Sequence, residues 1–129
     1  MATSIFILLT WNTWNRYPTI RESEARFLRQ FLPAEAARSG AKTVALGLVA
    51  DHVHLLLRVP GTFDVPRLAQ QLKGKSSRLA SQTIEDTGLM WARSYDAQSV
   101  SPGNLPRTIA YIRDQHLRHP DLCIPPDKG

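Results

Sequence analysis

At 129 residues the chain is long enough for one compact domain and too short for two that each bury a core, which excludes a modular enzyme with separate cofactor and substrate domains. Hydrophobic residues at 43% and charged residues at 21% are the proportions of a folded globular protein and exclude bulk disorder. Sixteen Lys and Arg against eleven Asp and Glu leave a formal net charge of +5, which suits a surface that meets polyanions.

The stretch MATSIFILLTWN has no positively charged leader, and its apolar run is broken at Thr10, Trp11 and Asn12. It reads as a strand over residues 5–13 rather than a signal peptide, and a polar turn at 15–18 follows. Residues 19–32 carry Ile20, Phe27, Leu28 and Phe31 at roughly helical spacing, open with Glu22 and Glu24, and meet Pro33. A helix is predicted there that stops at the proline and resumes briefly over 34–39 before Gly40. Residues 42–50 and 52–59 are strand-like with only Asp51 between them, as in an antiparallel hairpin or a bulged bend.

Asp64 is a good N-cap with Pro66 just inside, and Val65, Leu68, Leu72 and Leu79 predict a second helix to about residue 85, weakened internally by Gly74. Residues 91–100 predict a further strand plus loop. The last helix starts near Asn104 with Pro106 in its first turn; Leu105, Ile109 and Ile112 form its apolar stripe, which continues to His116 before Pro120 stops it. The order strand, helix, strand, strand, helix, strand, helix fits an α+β ferredoxin-like sandwich, one antiparallel sheet covered by helices. No run approaches the ~20 apolar residues that cross a bilayer, and the lone Cys123 cannot form an internal disulfide. A cytoplasmic protein is expected.

In Asp51-His52-Val53-His54, the histidines sit at i and i+2 of a strand, so both rings leave one face of the sheet. Two adjacent imidazoles are half a metal site, or a satisfied pair on a polar face. Tyr111 and Gln115 lie one turn apart on the last helix, on the flank of its apolar stripe. Arg107 and Arg118 project near the same azimuth and would hold a phosphate brought to that tyrosine. Between them, Arg67, Lys73, Lys75 and Arg78 form an acid-free stripe on the second helix, either a phosphate-backbone footprint or a solvated face. Trp11, Trp14 and Trp91 could stack on unpaired bases or belong to the core.

Read together, Asp51-His52-Val53-His54-Leu55-Leu56-Leu57, Leu72-Lys73-Gly74-Lys75-Ser76-Ser77-Arg78, Trp91-Ala92-Arg93-Ser94-Tyr95-Asp96 and Tyr111-Ile112-Arg113-Asp114-Gln115-His116 resemble the single-tyrosine transposases of the HUH superfamily, most of all the REP-associated, TnpA-like branch. The resemblance covers most of the chain, in order and spacing. It implies a transposase domain over 1–120 with a short tail at 121–129, in a prokaryotic, nucleoid-associated protein. It also implies that His52, His54 and Gln115 bind a divalent metal and that Tyr111 is the nucleophile. The family acts on single-stranded DNA, often at an imperfect hairpin, and is generally dimeric; by analogy, Tyr111 is expected to serve the partner's metal site.

Those residue types suit the chemistry. A divalent ion neutralises charge on a scissile phosphate, and a tyrosine nucleophile conserves the bond energy in a 5′-phosphotyrosine, so a 3′-OH can rejoin DNA without ATP. Two imidazoles and a carboxamide are a neutral ligand set, for which Mg²⁺ or Mn²⁺ is expected, with Zn²⁺ as the alternative. Two other functions compete: a domesticated hairpin-DNA-binding protein that no longer cleaves, and a small RNA-binding ferredoxin-like domain. The paired histidines count against the latter.

Overall fold

The computed structural model of the chain describes residues 3–115 and 120–124. Strand β1 (Ser4–Asn12) leads to α1 (Glu22–Arg38), the hairpin β2 (Lys42–Val49) and β3 (His52–Pro60), α2 (Val65–Thr83), β4 (Asp96–Val100) and α3 (Leu105–Arg113). The four strands form one antiparallel sheet in the order β2-β3-β1-β4. This is the ferredoxin-like α+β arrangement predicted above. Among the described residues no helix is long and apolar enough to cross a membrane.

Strand alternation divides the sheet into two unlike faces. Ile7, Leu9 and Trp11 of β1 and Val53, Leu55 and Leu57 of β3 point to one side, where Leu28 and Leu32 of α1 and Leu68 and Leu72 of α2 complete the core. Trp11 and Trp91 meet edge to face there, centroids 5.8 Å apart, and the Trp91 indole N–H donates to Ser76 Oγ at 2.9 Å. Both tryptophans are therefore core residues, while Trp14 is exposed. The opposite face carries Thr10 and Asn12 paired in register with His54 and His52. Helix α3 crosses that face, with Ile112 lying on Gly47 of β2.

Element boundaries depart from the sequence expectation in four places. Helix α1 begins at Glu22 rather than residue 19, because Arg21 is extended and its backbone N–H donates to the Glu24 carboxylate at 3.2 Å. It then runs through Pro33 without stopping. An internal proline costs about 3 kcal/mol, but Leu28, Leu32 and Ala36 bury on both sides of it, and burial of an apolar face outweighs propensity. The strand expected over 91–100 is ordered as β4 only from Asp96, with Trp91 contributing an isolated bridge to Thr13. Helix α3 closes at Arg113 with Asp114 as its cap, short of the expected end; His116 itself lies outside the described residues.

Candidate active site

His52 and His54 project from β3 onto the α3 face and are both buried. Their rings stand edge to face with centroids 4.9 Å apart. Gln115 is buried just after α3, and its side-chain N–H donates to the Tyr111 carbonyl at 3.0 Å. That bond fixes the amide orientation and aims Oε1 at the histidines, 3.1 Å from His52 Nε2 and 3.2 Å from His54 Nε2. The far side of each ring is also held. Asp51 Oδ1 lies 2.7 Å from His52 Nδ1, and Thr10 Oγ1 lies 2.9 Å from His54 Nδ1.

The His52 tautomer follows from its carboxylate partner. A carboxylate only accepts, so Asp51 places the His52 proton on Nδ1. With the ring neutral, Nε2 presents a lone pair to Gln115 Oε1, which is itself an acceptor. Two lone pairs at 3.1 Å are reconciled either by a proton on Nε2 or by a cation between them, and two neutral imidazoles with a carboxamide form a donor set that fits a metal ion. The spacing fits as well: ligands about 2.1 Å from an octahedral ion are separated along each edge by about 3 Å. Among the described residues no group of three His, Cys, Asp or Glu could hold a metal, because the third donor here is a carboxamide. Asp51 and Thr10 occupy the positions of outer-shell groups that orient metal-binding imidazoles.

Tyr111 stands beside this cluster, its ring 5.4 Å from that of His54 at 72°. It opens onto a cleft of about 560 Å³ between α3 and the β1–β4 edge, lined also by Thr10, Asp96, Gln98, Arg107 and Thr108. The structure thus brings together His52, His54, Tyr111, Gln115 and Arg107; Arg118 lies outside the described residues.

The stripe on α2 is placed elsewhere. Leu68, Leu72 and Ser76 of α2 are buried in the layer on the opposite side of the sheet, so Arg67, Lys73, Lys75 and Arg78 do not join the cleft. Lys75 pairs with the buried Glu35 of α1 at 2.6 Å. Lys73 donates to the Arg93 and Ser94 carbonyls at 3.0 and 3.1 Å, and partial burial lowers its pKa.

Sequence reasoning missed Thr10, Asp51 as a histidine partner, and Gly47. Asp51 adjoins the histidine pair in the sequence, and only its turn-like character was read. Thr10 becomes visible only through the β1–β3 register, and Gly47 only through the approach of α3.

The site is thus an imidazole pair, a carboxamide and a phenol gathered where one helix crosses the open face of a ferredoxin-like sheet. The chain belongs to the family of IS200-like transposases, whose model matches residues 2–115. A solved structure of a candidate transposase from Deinococcus radiodurans R1 is 29% identical, with a TM-score of 0.69 over 90% of this chain and 94% of that one. A REP-associated tyrosine transposase, solved bound to a REP hairpin, shares the fold with a TM-score of 0.73 at 14% identity, over 89% of this chain and 68% of the other. Comparison with curated proteins gives no match.

Proposed function

We propose that this transposase-family protein cleaves and rejoins single-stranded DNA at a hairpin, through a covalent 5′-phosphotyrosine on Tyr111, as a homodimer that uses Mg²⁺ or Mn²⁺ held by His52, His54 and Gln115. The observation that carries this reading is the convergence of His52 Nε2 and His54 Nε2 on Gln115 Oε1, at 3.1 and 3.2 Å, beside a tyrosine that lines a cleft with an arginine. Hairpin recognition is carried over from the REP-associated transposase.

A divalent ion bound there supplies Lewis-acid stabilisation of charge on the scissile phosphate. The chain's own groups do the rest. Tyr111 Oη loses its proton to solvent and bonds to phosphorus; the P–O3′ bond breaks, and the departing oxygen takes up a proton as a free 3′-OH. Arg107, one helical turn before Tyr111 in the same cleft, pairs with a non-bridging phosphate oxygen. Asp51 and Thr10 keep the imidazoles oriented. Attack by a 3′-OH on the phosphotyrosine reverses every bond change and restores the phenol.

The test is incubation with a single-stranded hairpin oligonucleotide and Mn²⁺, followed by a denaturing gel. A protein–DNA adduct that requires the metal and disappears in Tyr111→Phe is expected, while Tyr95→Phe retains it. Adduct in excess chelator would overturn the mechanism, and tight hairpin binding without any adduct would favour the non-catalytic binding protein.

A further inference from the structure

The segment after β1, together with Met90 from the stretch between α2 and β4, holds a group of exposed side chains that neither the core nor the cleft uses. Trp14 is 43% exposed, Tyr17 56% and Met90 58%, the large hydrophobic side chains left exposed among the described residues. Together with Thr19 and Gly88 they line a shallow cleft of about 250 Å³. The backbone beneath is tied down. Trp14 N–H donates to the Met90 carbonyl at 2.8 Å, the Thr13 hydroxyl to the Tyr17 carbonyl at 2.7 Å, and Thr13 N–H to the Asp51 carbonyl at 2.9 Å. Between the two aromatics, Asn15 and Arg16 both adopt left-handed conformations, with φ of 51° and 55°. Asparagine tolerates that region, whereas arginine adopts it at a cost. Strain of this kind persists where the surroundings impose it, and here the Arg16 guanidinium ends beside Asn12 and Asp51, next to the candidate metal site.

Arg16 links the two places. One guanidinium nitrogen donates to Asn12 Oδ1 at 3.2 Å, and the other lies 4.0 Å from Asp51 Oδ2. Asn12 is the register partner of His52, and the second Asp51 oxygen is bonded to His52 Nδ1. Most of the Arg16 side chain remains solvent-exposed.

Resting on the single-stranded DNA reading above, we propose that Trp14, Tyr17 and Met90 form a stacking platform for one unpaired base of the strand flanking the hairpin, with Arg16 pairing to the adjoining phosphate. Base–aromatic stacking requires an exposed ring on a rigid support and tolerates any base, because every base has a π-face. The cationic edge matches a phosphodiester. Size argues against a protein partner: three half-exposed side chains offer roughly 300 Å², far below the about 800 Å² per partner of a stable interface. Through Arg16 and Asp51 the platform is continuous with His52 of the candidate site.

The experiment compares two fluorescein-labelled DNA hairpins bound by the full chain in chelator, one blunt and one carrying short single-stranded extensions. Trp14→Ala is expected to weaken binding of the extended hairpin about tenfold, equivalent to about 1.4 kcal/mol, and to leave the blunt hairpin unchanged. Trp14→Phe retains most of the affinity. An extension with an abasic nucleotide at the stacked position reproduces the loss with the unaltered protein and adds nothing to Trp14→Ala. This arm does not depend on the variant's folding. Equal loss on both hairpins, or no loss from either the variant or any abasic position, overturns the platform while leaving the DNA reading intact. Failure of the unaltered protein to bind either hairpin overturns both.

Discussion

Gly47 and Ile112 are in contact so close that a methyl group cannot be placed between them: a Cβ on Gly47 would lie 2.7 Å from the Ile112 carbonyl oxygen and 2.8 Å from its Cγ2. Gly47 is the register neighbour of His54 on β2, and Ile112 follows Tyr111. This approach sets the height of α3 above the histidines. Gly47→Ala must move the helix backbone, at a cost of about 1–3 kcal/mol for overpacking. Displacement by even part of an ångström separates Gln115 Oε1 from the imidazoles. Thermal unfolding should show a lower midpoint, and adduct formation should fall far more than hairpin affinity.

Asp51→Asn tests the hydrogen bond behind His52. An amide can turn either its oxygen or its NH₂ toward Nδ1, so the proton is no longer held there. Loss of such an outer-shell partner weakens metal binding about 10–100-fold. A Mn²⁺ titration of adduct formation should shift to higher concentration by that factor, with the rate at saturating metal largely restored. An unshifted titration would show that Asp51 does not set the tautomer.

How far the sequence carried depended on whether a feature is local. The i, i+2 histidines were legible because strand alternation alone puts both rings on one face, and β-branched and helical patterns gave the strand and helix order. Pro33 misled because its cost is local while the compensation, burial of Leu32 and Ala36, is tertiary. The bond between Gln115 and the Tyr111 carbonyl spans one turn and agrees with the predicted proximity, but the aim of the carboxamide at two imidazoles depends on the packing of α3 across β2. The basic stripe on α2 illustrates the converse. Spacing showed its charges correctly but could not show that Glu35, forty residues earlier in the chain, takes Lys75.

That distinction can be measured. Lys75→Met leaves the buried Glu35 carboxylate without its partner at 2.6 Å and should lower stability, with DNA affinity little changed. Arg107→Ala should weaken single-strand binding and reduce the slope of log affinity against log salt by about 0.7, the value for one phosphate contact. A slope unaffected by Arg107→Ala but reduced by Arg67→Ala with Arg78→Ala would move the DNA path to the α2 face.

Glu24 ties the start of α1 to the segment before β4. Burial alone would raise its pKa, but bonds from Arg21, Thr87, Ser23 and its own backbone outweigh that and lower it from 4.5 to about 2. A carboxylate with a depressed folded-state pKa contributes stability that is fully present above its unfolded value and is lost as pH falls through the folded one. The stability difference between the protein and Glu24→Gln should therefore hold steady above roughly pH 5 and shrink from there toward pH 2. Denaturant titrations at several pH values would show this, and a difference that stays constant across the window would refute the assignment.

The final prediction concerns which subunit's tyrosine serves which site. Family analogy favours a site shared between subunits, but Tyr111 here lies against His54 of its own chain, and the same helix supplies the contact of Ile112 with Gly47 of its own β2. Removing α3 to a partner would open both contacts and expose the buried Ile112. Given a homodimer, mixing Tyr111→Phe subunits with His52→Ala subunits separates the arrangements. In the intrachain arrangement each subunit of the heterodimer lacks one essential group, so no adduct forms. In the shared arrangement one composite site holds both an intact histidine pair and a tyrosine, and about half of the native activity per dimer returns, since one of two sites is whole. The geometry of α3 predicts no rescue in a heterodimer verified by differential tagging. Recovery of adduct there would show that α3 exchanges between subunits during the reaction.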